Sequence, residues 1–219
     1  MRPATIWLTA ALLLTSCDKL NESDKNTFMS VIGHYLTKTP PCITLPQHGW
    51  SGSDDEQDFP VILASPAEPD LSEAERRERR EDMAPYEALA SAGLLSATPK
   101  GFDERQPGGG TRRVAGIAFD LTDAGKAARD KRRAGDSATF CYGTPTIDDI
   151  LRYSGPTEAV GMKVSQVRYR YHLADLPDWA TNPKVREIFP DIRRETAGPQ
   201  ERDATLILTN EGWKHQGEL

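Results

Sequence analysis

The chain has 219 residues, with 27 Lys and Arg against 33 Asp and Glu, and a formal net charge of −6. That length suits one large domain or two small lobes. A negative chain without a concentrated basic face is a poor match for nucleic acid, where phosphate neutralisation supplies most of the affinity.

Arg2 and the amino terminus make a short positive start, and an apolar run follows over residues 6–14. It is shorter than the ~20 residues that span a bilayer, and fits the core of a signal peptide. Leu14-Thr15-Ser16-Cys17 then resembles the lipobox of bacterial lipoproteins: an aliphatic residue, two small residues and a cysteine. The resemblance implies that residues 1–16 are removed and that the Cys17 thiol carries a diacylglycerol. It also implies a chain held on a membrane and facing the periplasm. Asp18 resembles the inner-membrane retention signal of enterobacterial lipoproteins. Three cysteines are present. With Cys17 lipidated, Cys42 and Cys141 remain, free outside the cytoplasm to form a disulfide or to stay as two buried thiols.

Residues 17–25 are polar and read as a tether. Phe28, Val31, Ile32, Tyr35 and Leu36 recur at helical spacing, so an amphipathic helix is predicted over 26–37, stopped by Pro40-Pro41. Cys42-Ile43-Thr44-Leu45 and Val61-Ile62-Leu63 are short strand candidates on either side of an acidic loop at 46–60. Ser72-Glu73-Ala74-Glu75 is a capping-box pattern opening a helix. Its first turns are nearly all charged, with Glu73/Arg77 and Glu75/Arg79 spaced for ion pairs. Pro85 predicts a kink or a fresh start, and Gly93 a stop.

A polar excursion with Gly108-Gly109-Gly110 precedes a strand in which Ala115, Ile117, Phe119 and Leu121 share one face. Thr122 is a candidate N-cap for a helix to about Arg133. Phe140-Cys141-Tyr142 reads as a strand, and Thr146-Ile147-Asp148-Asp149 as the cap of a helix ending before Gly155. Residues 164–173 alternate strictly, with Val167, Tyr169, Tyr171 and Leu173 on one face and Arg168, Arg170 and His172 on the other. A helix capped by Asn182 follows, with Val185, Ile188 and Phe189 inward, and residues 205–208 form a last strand.

Phe119-Asp120-Leu121-Thr122-Asp123-Ala124-Gly125 and Ile207-Leu208-Thr209-Asn210-Glu211-Gly212 share a strand end followed by Leu-Thr-x-x-Gly. The echo reads as a strand running twice into a Thr-capped turn. The fold class expected is α+β, with antiparallel strands in small mixed lobes at 26–135 and 138–219, as two related halves. Residues 86–126 resemble a winged-helix module: a helix ending in Gly93-Leu94-Leu95, a wing tip within 100–112, and Leu121-Thr122-x-x-Gly125 after it. The family mostly binds DNA; export and negative charge redirect the expectation here to a protein-binding platform.

No catalytic, cofactor or metal signature emerges. Gly49-Trp50-Ser51-Gly52-Ser53 lacks the last glycine of a nucleophile elbow. Gly108-Gly109-Gly110 has no Gly-Lys-Ser/Thr after it, so it is not a phosphate cradle. His34, His48, His172 and His215 show no metal-ligand spacing. Asp148-Asp149 and Asp54-Asp55-Glu56 are explained by capping and solvation. The functional expectation is therefore a lipid-anchored adaptor for another envelope protein, without cofactor, with Trp50, Arg168, Arg170 and Trp179 as interface candidates. The alternatives are an envelope hydrolase with an unrecognised site, and a winged-helix regulator should the first 17 residues not be a signal.

Overall fold

The computed structural model describes residues 18–45, 59–105, 108–129 and 139–219. It is an α+β fold with antiparallel strand pairing throughout. In chain order the elements are α1 (Asp18–Lys38), β1 (Cys42–Thr44), β2 (Val61–Ala64), α2 (Glu73–Ser91), β3 (Leu95–Pro99), β4 (Phe102–Arg105), β5 (Thr111–Val114), β6 (Gly116–Leu121) and α3 (Asp123–Ala128). Then come β7 (Thr139–Cys141), β8 (Thr144–Tyr153), β9 (Thr157–Ala159), β10 (Met162–Ala174), α4 (Asp178–Thr181), α5 (Pro183–Ile188), α6 (Pro190–Glu195), β11 (Gln200–Thr209), β12 (Gly212–His215) and a final 3-10 turn.

Helix α1 buries Phe28, Ile32 and Leu36, four residues apart and so on one stripe. It begins at Asp18. The stretch expected as a tether is therefore helical, and Lys25 Nζ reaches Asp149 Oδ1 at 2.7 Å. The helix ends where Thr39 donates its hydroxyl to the Tyr35 carbonyl, just before the two prolines.

Helix α2 opens on the expected capping box. The Ser72 amide donates to Glu75 Oε2 at 2.7 Å, and the Glu75 amide to Ser72 Oγ at 3.3 Å. The expected pairing of Glu73 with Arg77 is replaced by Arg80 on Glu73 at 2.9 Å, while Arg77 pairs with Glu81 at 3.9 Å. Glu75 is taken up by the cap, and Arg79 donates to the Ser65 carbonyl. The helix runs through Pro85 without interruption and buries Met83, Tyr86, Ala88 and Leu89. Gly93, at φ 79°, turns the chain into β3.

Strands β2, β6 and β3 form a three-stranded sheet with β6 in the middle, and β4–β5 is a hairpin beyond it. The polar excursion of the sequence is thus three strands. Its charged residues conceal them because these strands are mostly exposed. Thr122 caps α3 as expected, accepting from the Gly125 amide. That helix stops at Ala128, five residues before the expected end, and residues 130–138 lie outside the described residues.

The largest sheet runs β12-β11-β10-β8, with β9 beside the start of β10. Strand β8 corrects the helix expected from Thr146. Two register shifts against β10 place Ile147 opposite Tyr171 and Ile150 opposite Tyr169. Bulges thus give the apolar residues a spacing of three, which imitates a helical period. The alternation of β10 is as expected: Val167, Tyr169, Tyr171 and Leu173 are buried. After it, Asn182 caps α5 and Val185 is buried, but Ile188 is exposed. The helix breaks at Phe189-Pro190, and Ile192 of α6 takes the inward place.

The two Leu-Thr-x-x-Gly segments have different structures. The first caps a helix. The second is the tight turn of the β11–β12 hairpin, where Thr209 opposes Gly212 and donates its hydroxyl to the Gly212 carbonyl at 2.8 Å. The expectation of two related winged-helix-like halves is not met: the second half is a broad sheet of long strands. One continuous core joins both, taking Phe28, Leu89 and Phe119 together with Phe140, Tyr171 and Leu206. Cys42 and Cys141 are disulfide-bonded at directly opposed positions of β1 and β7. No helix among the described residues is long and apolar enough to cross a membrane.

Candidate functional site: the open face of the five-stranded sheet

Alternation along β10 gives its sheet two unlike faces. The Val167 face is covered by α1, whose Phe28 meets Tyr153 and Trp213 edge-on at 5.2 Å each. The opposite face carries Arg168, Arg170 and His172, and register sets their neighbours. Asp203 of β11 lies opposite Arg168 and Glu201 opposite Arg170, so unlike charges meet across the strands. Arg170 Nη2 reaches Glu201 Oε1 at 3.0 Å. Arg168 Nε lies 3.5 Å from Glu201 Oε2 and 4.0 Å from Asp203 Oδ1. Such exposed pairs contribute about 0.2–1 kcal/mol each, so they organise the face more than they stabilise the fold.

Farther along, Asp148 Oδ1 accepts from His172 Nδ1 at 2.6 Å. An imidazole oriented by a carboxylate is a familiar part of hydrolytic sites. Thr146, opposite His172 in register, turns its hydroxyl to the Thr144 carbonyl instead. Among the described residues the pair therefore stands without an engaged nucleophile. Asp148 and Asp149 are not helix caps: the second is held by Lys25, whose hydrogen bond keeps the Asp149 carboxyl below the usual range. Among the described residues no three His, Cys, Asp or Glu side chains gather as a metal site.

At the other end of the face, between β8, β10 and β11, lies a shallow cleft of about 310 Å³ lined by Arg152, Tyr153, Ser154, Gln166, Arg168 and Asp203. Arg152 sits directly opposite Arg168. No match to this chain was found among protein-family models, curated proteins or solved structures. The reading of the site rests on its own chemistry.

The structure sorts the expected site residues into three groups. Arg168 and Arg170 share the open face. Trp179 does not join them: it is buried, edge-on to Phe140 at 6.3 Å and Tyr142 at 6.1 Å, and serves the core. Cys17, His48, Trp50 and the near-elbow around Ser51 lie outside the described residues.

One buried polar group escaped the sequence reading. Glu195 of α6 is 6% exposed and accepts from Tyr171 Oη at 3.3 Å and from Arg202 Nη2, while Arg202 also lies over the Tyr171 ring. Burial, then the Glu195 charge, pushes the Tyr171 phenol up to about 12. This cluster ties α6 to the sheet from the core side. Tyr171 lay in a predicted strand and Arg202 near another, but nothing in the spacing joins either to Glu195.

Proposed function

We propose that the chain is a lipid-anchored envelope lipoprotein that works as an adaptor, receiving another envelope protein on the open face of its five-stranded sheet. The observation that carries the adaptor reading is a sheet face that the described elements leave to solvent, patterned in arginines and carboxylates. Arginine is over-represented where interfaces hold their binding energy. The lipobox-like Leu14-Thr15-Ser16-Cys17 supports the anchor, Asp18 supports the inner membrane, and a Cys42–Cys141 bond suits an oxidising compartment.

Growth with labelled palmitate should mark the wild type and not Cys17→Ser. A membrane-bound mature form of Cys17→Ser with unchanged mass overturns the anchor. Fractionation should move Asp18→Ser toward the outer membrane; equal distributions count against retention. Photocrosslinking from position 170 in intact cells should trap a partner that position 77, exposed on α2, does not. Equal yields from the two positions, or none from 170, overturn the docking face.

A further inference from the structure

The cleft at the β9 end of the open face holds an unanswered charge. Arg152 and Arg168 are cross-strand partners, and like charges directly opposed destabilise a sheet. Arg168 is compensated by Glu201 and Asp203. Arg152 has no hydrogen-bond or ion-pair partner among the described residues. Arg168 Nε is shielded from solvent and makes no hydrogen bond, its acidic neighbours being too far or off-axis. A shielded donor left unmade costs free energy, while the charge open to a ligand is that of the exposed Arg152.

Two further lining side chains, Gln166 and Ser154, have donor capacity to spare. Gln166 Oε1 accepts from Thr205, which leaves its amide group to donate. Ser154 Oγ accepts from the Gln166 backbone N–H, which leaves its own proton free. Two guanidinium charges and the single carboxylate of Asp203 line the cleft, so the surplus is one positive charge. That surplus matches a monoanion. A phosphate near its dianionic form would leave negative charge unanswered beside Asp203 and Glu201. The volume of about 310 Å³ has room for on the order of ten waters, enough for an acidic side chain and its flanking backbone.

We infer that this cleft binds one carboxylate, the Asp or Glu side chain of an extended segment of the partner protein, with Arg152 as its principal contact. A guanidinium presents paired donors that suit a carboxylate. The inference rests on the adaptor reading for the identity of the carboxylate's owner, and on the cleft alone for the chemistry.

The test uses the full chain purified from membranes in detergent micelles. Arginine side-chain NMR signals are followed during titration with an end-blocked heptapeptide carrying one central Glu, with its Gln counterpart, and with inorganic phosphate. The Glu peptide should shift the Arg152 and Arg168 signals saturably, at least fivefold more tightly than either control. Arg152→Gln should lose that binding without lowering the melting temperature, since it also relieves the like-charge pair with Arg168, and Arg152→Lys should keep part of it. Equal binding of the Glu and Gln peptides, tighter binding of phosphate, or an unaffected Arg152→Gln overturns the inference. The two readings fail separately: a carboxylate that binds while crosslinking in cells finds no partner removes the adaptor and leaves the cleft. A trapped partner whose binding ignores Arg152 does the reverse.

Discussion

Replacing Gly125 with Ala sets two effects of opposite sign against each other. Gly125 lies inside α3, where alanine is favoured over glycine by about 1 kcal/mol. Yet a Cβ there would stand 2.0 Å from the Leu94 carbonyl oxygen and 3.0 Å from its carbon. That is more than 1 Å short of the roughly 3.3 Å at which carbon meets a carbonyl oxygen, and the obstacle is backbone. To make room, α3 must move off the start of β3. That movement opens the Thr122 amide bond to Leu94 O (3.1 Å) and the single Thr122 hydroxyl donation shared between Gly93 O (2.7 Å) and Leu94 O (3.1 Å). At about 1 kcal/mol per bond, with lost packing of buried Leu94, the net cost is about 3 kcal/mol. For a chain of this size that lowers the melting temperature by roughly 6–12 °C. Gly212, in the matching place of the second pattern, meets nothing within 4 Å and carries only a positive φ of 105°. Gly212→Ala should cost about 1–2 kcal/mol from backbone strain alone. Thermal and urea melts followed by circular dichroism measure both. A neutral or stabilising Gly125→Ala refutes the packing argument, since helix propensity would then have won.

The Cys42–Cys141 bond spans a sequence separation of 99 residues and should contribute about 4–5 kcal/mol through the unfolded chain. Reduction, Cys42→Ser and Cys141→Ser should therefore lower the melting point alike, and two titratable thiols in unreduced protein from the envelope would count against the bond. Burial pushes Tyr86 and Tyr171 up to about 12, with Asp82 and Glu195 adding to the shift. An unfolded tyrosine ionises near 10, so the folded state holds protons that the unfolded chain releases. Their stabilisation is complete below pH 10 and is lost as pH climbs toward 12. Absorbance at 295 nm should show a late phenol ionisation coinciding with unfolding by circular dichroism, and full ionisation near pH 10 in a folded chain would contradict it.

Elements whose burial follows a clean period were legible in the sequence. Strand β10 announces itself because every second side chain enters the core, and α1 because Phe28, Ile32 and Leu36 recur at four. Caps were legible too, at Ser72, Thr122 and Asn182, because a side-chain oxygen bonding the next turn is a local event. Strand β8 was misread because its bulges shift the period, and β3 to β5 were missed because exposure removes the apolar signal. The Thr209 turn shows that one local pattern serves two geometries, the choice falling to tertiary pairing. Of the site, Arg168 and Arg170 were visible on one face, whereas Arg152 was hidden inside a presumed helix. Trp179 looked like an interface residue because composition does not say which side of a chain is inside.

Elements far apart in sequence close the fold. Helix α1 lies against β8 and β12, Lys38 Nζ meets Glu218 Oε1 at 2.8 Å, and Tyr35 stacks on His215 with ring centroids 3.6 Å apart. The seat of α1 is thus built partly from the β11–β12 hairpin, more than 160 residues farther along. While synthesis proceeds, the stripe of Phe28, Ile32 and Leu36 has no complete partner surface, and long-range closure of this kind is slow because the loop entropy is lost before the contacts form. Burial of the α1 stripe therefore waits until the β11–β12 hairpin has been made.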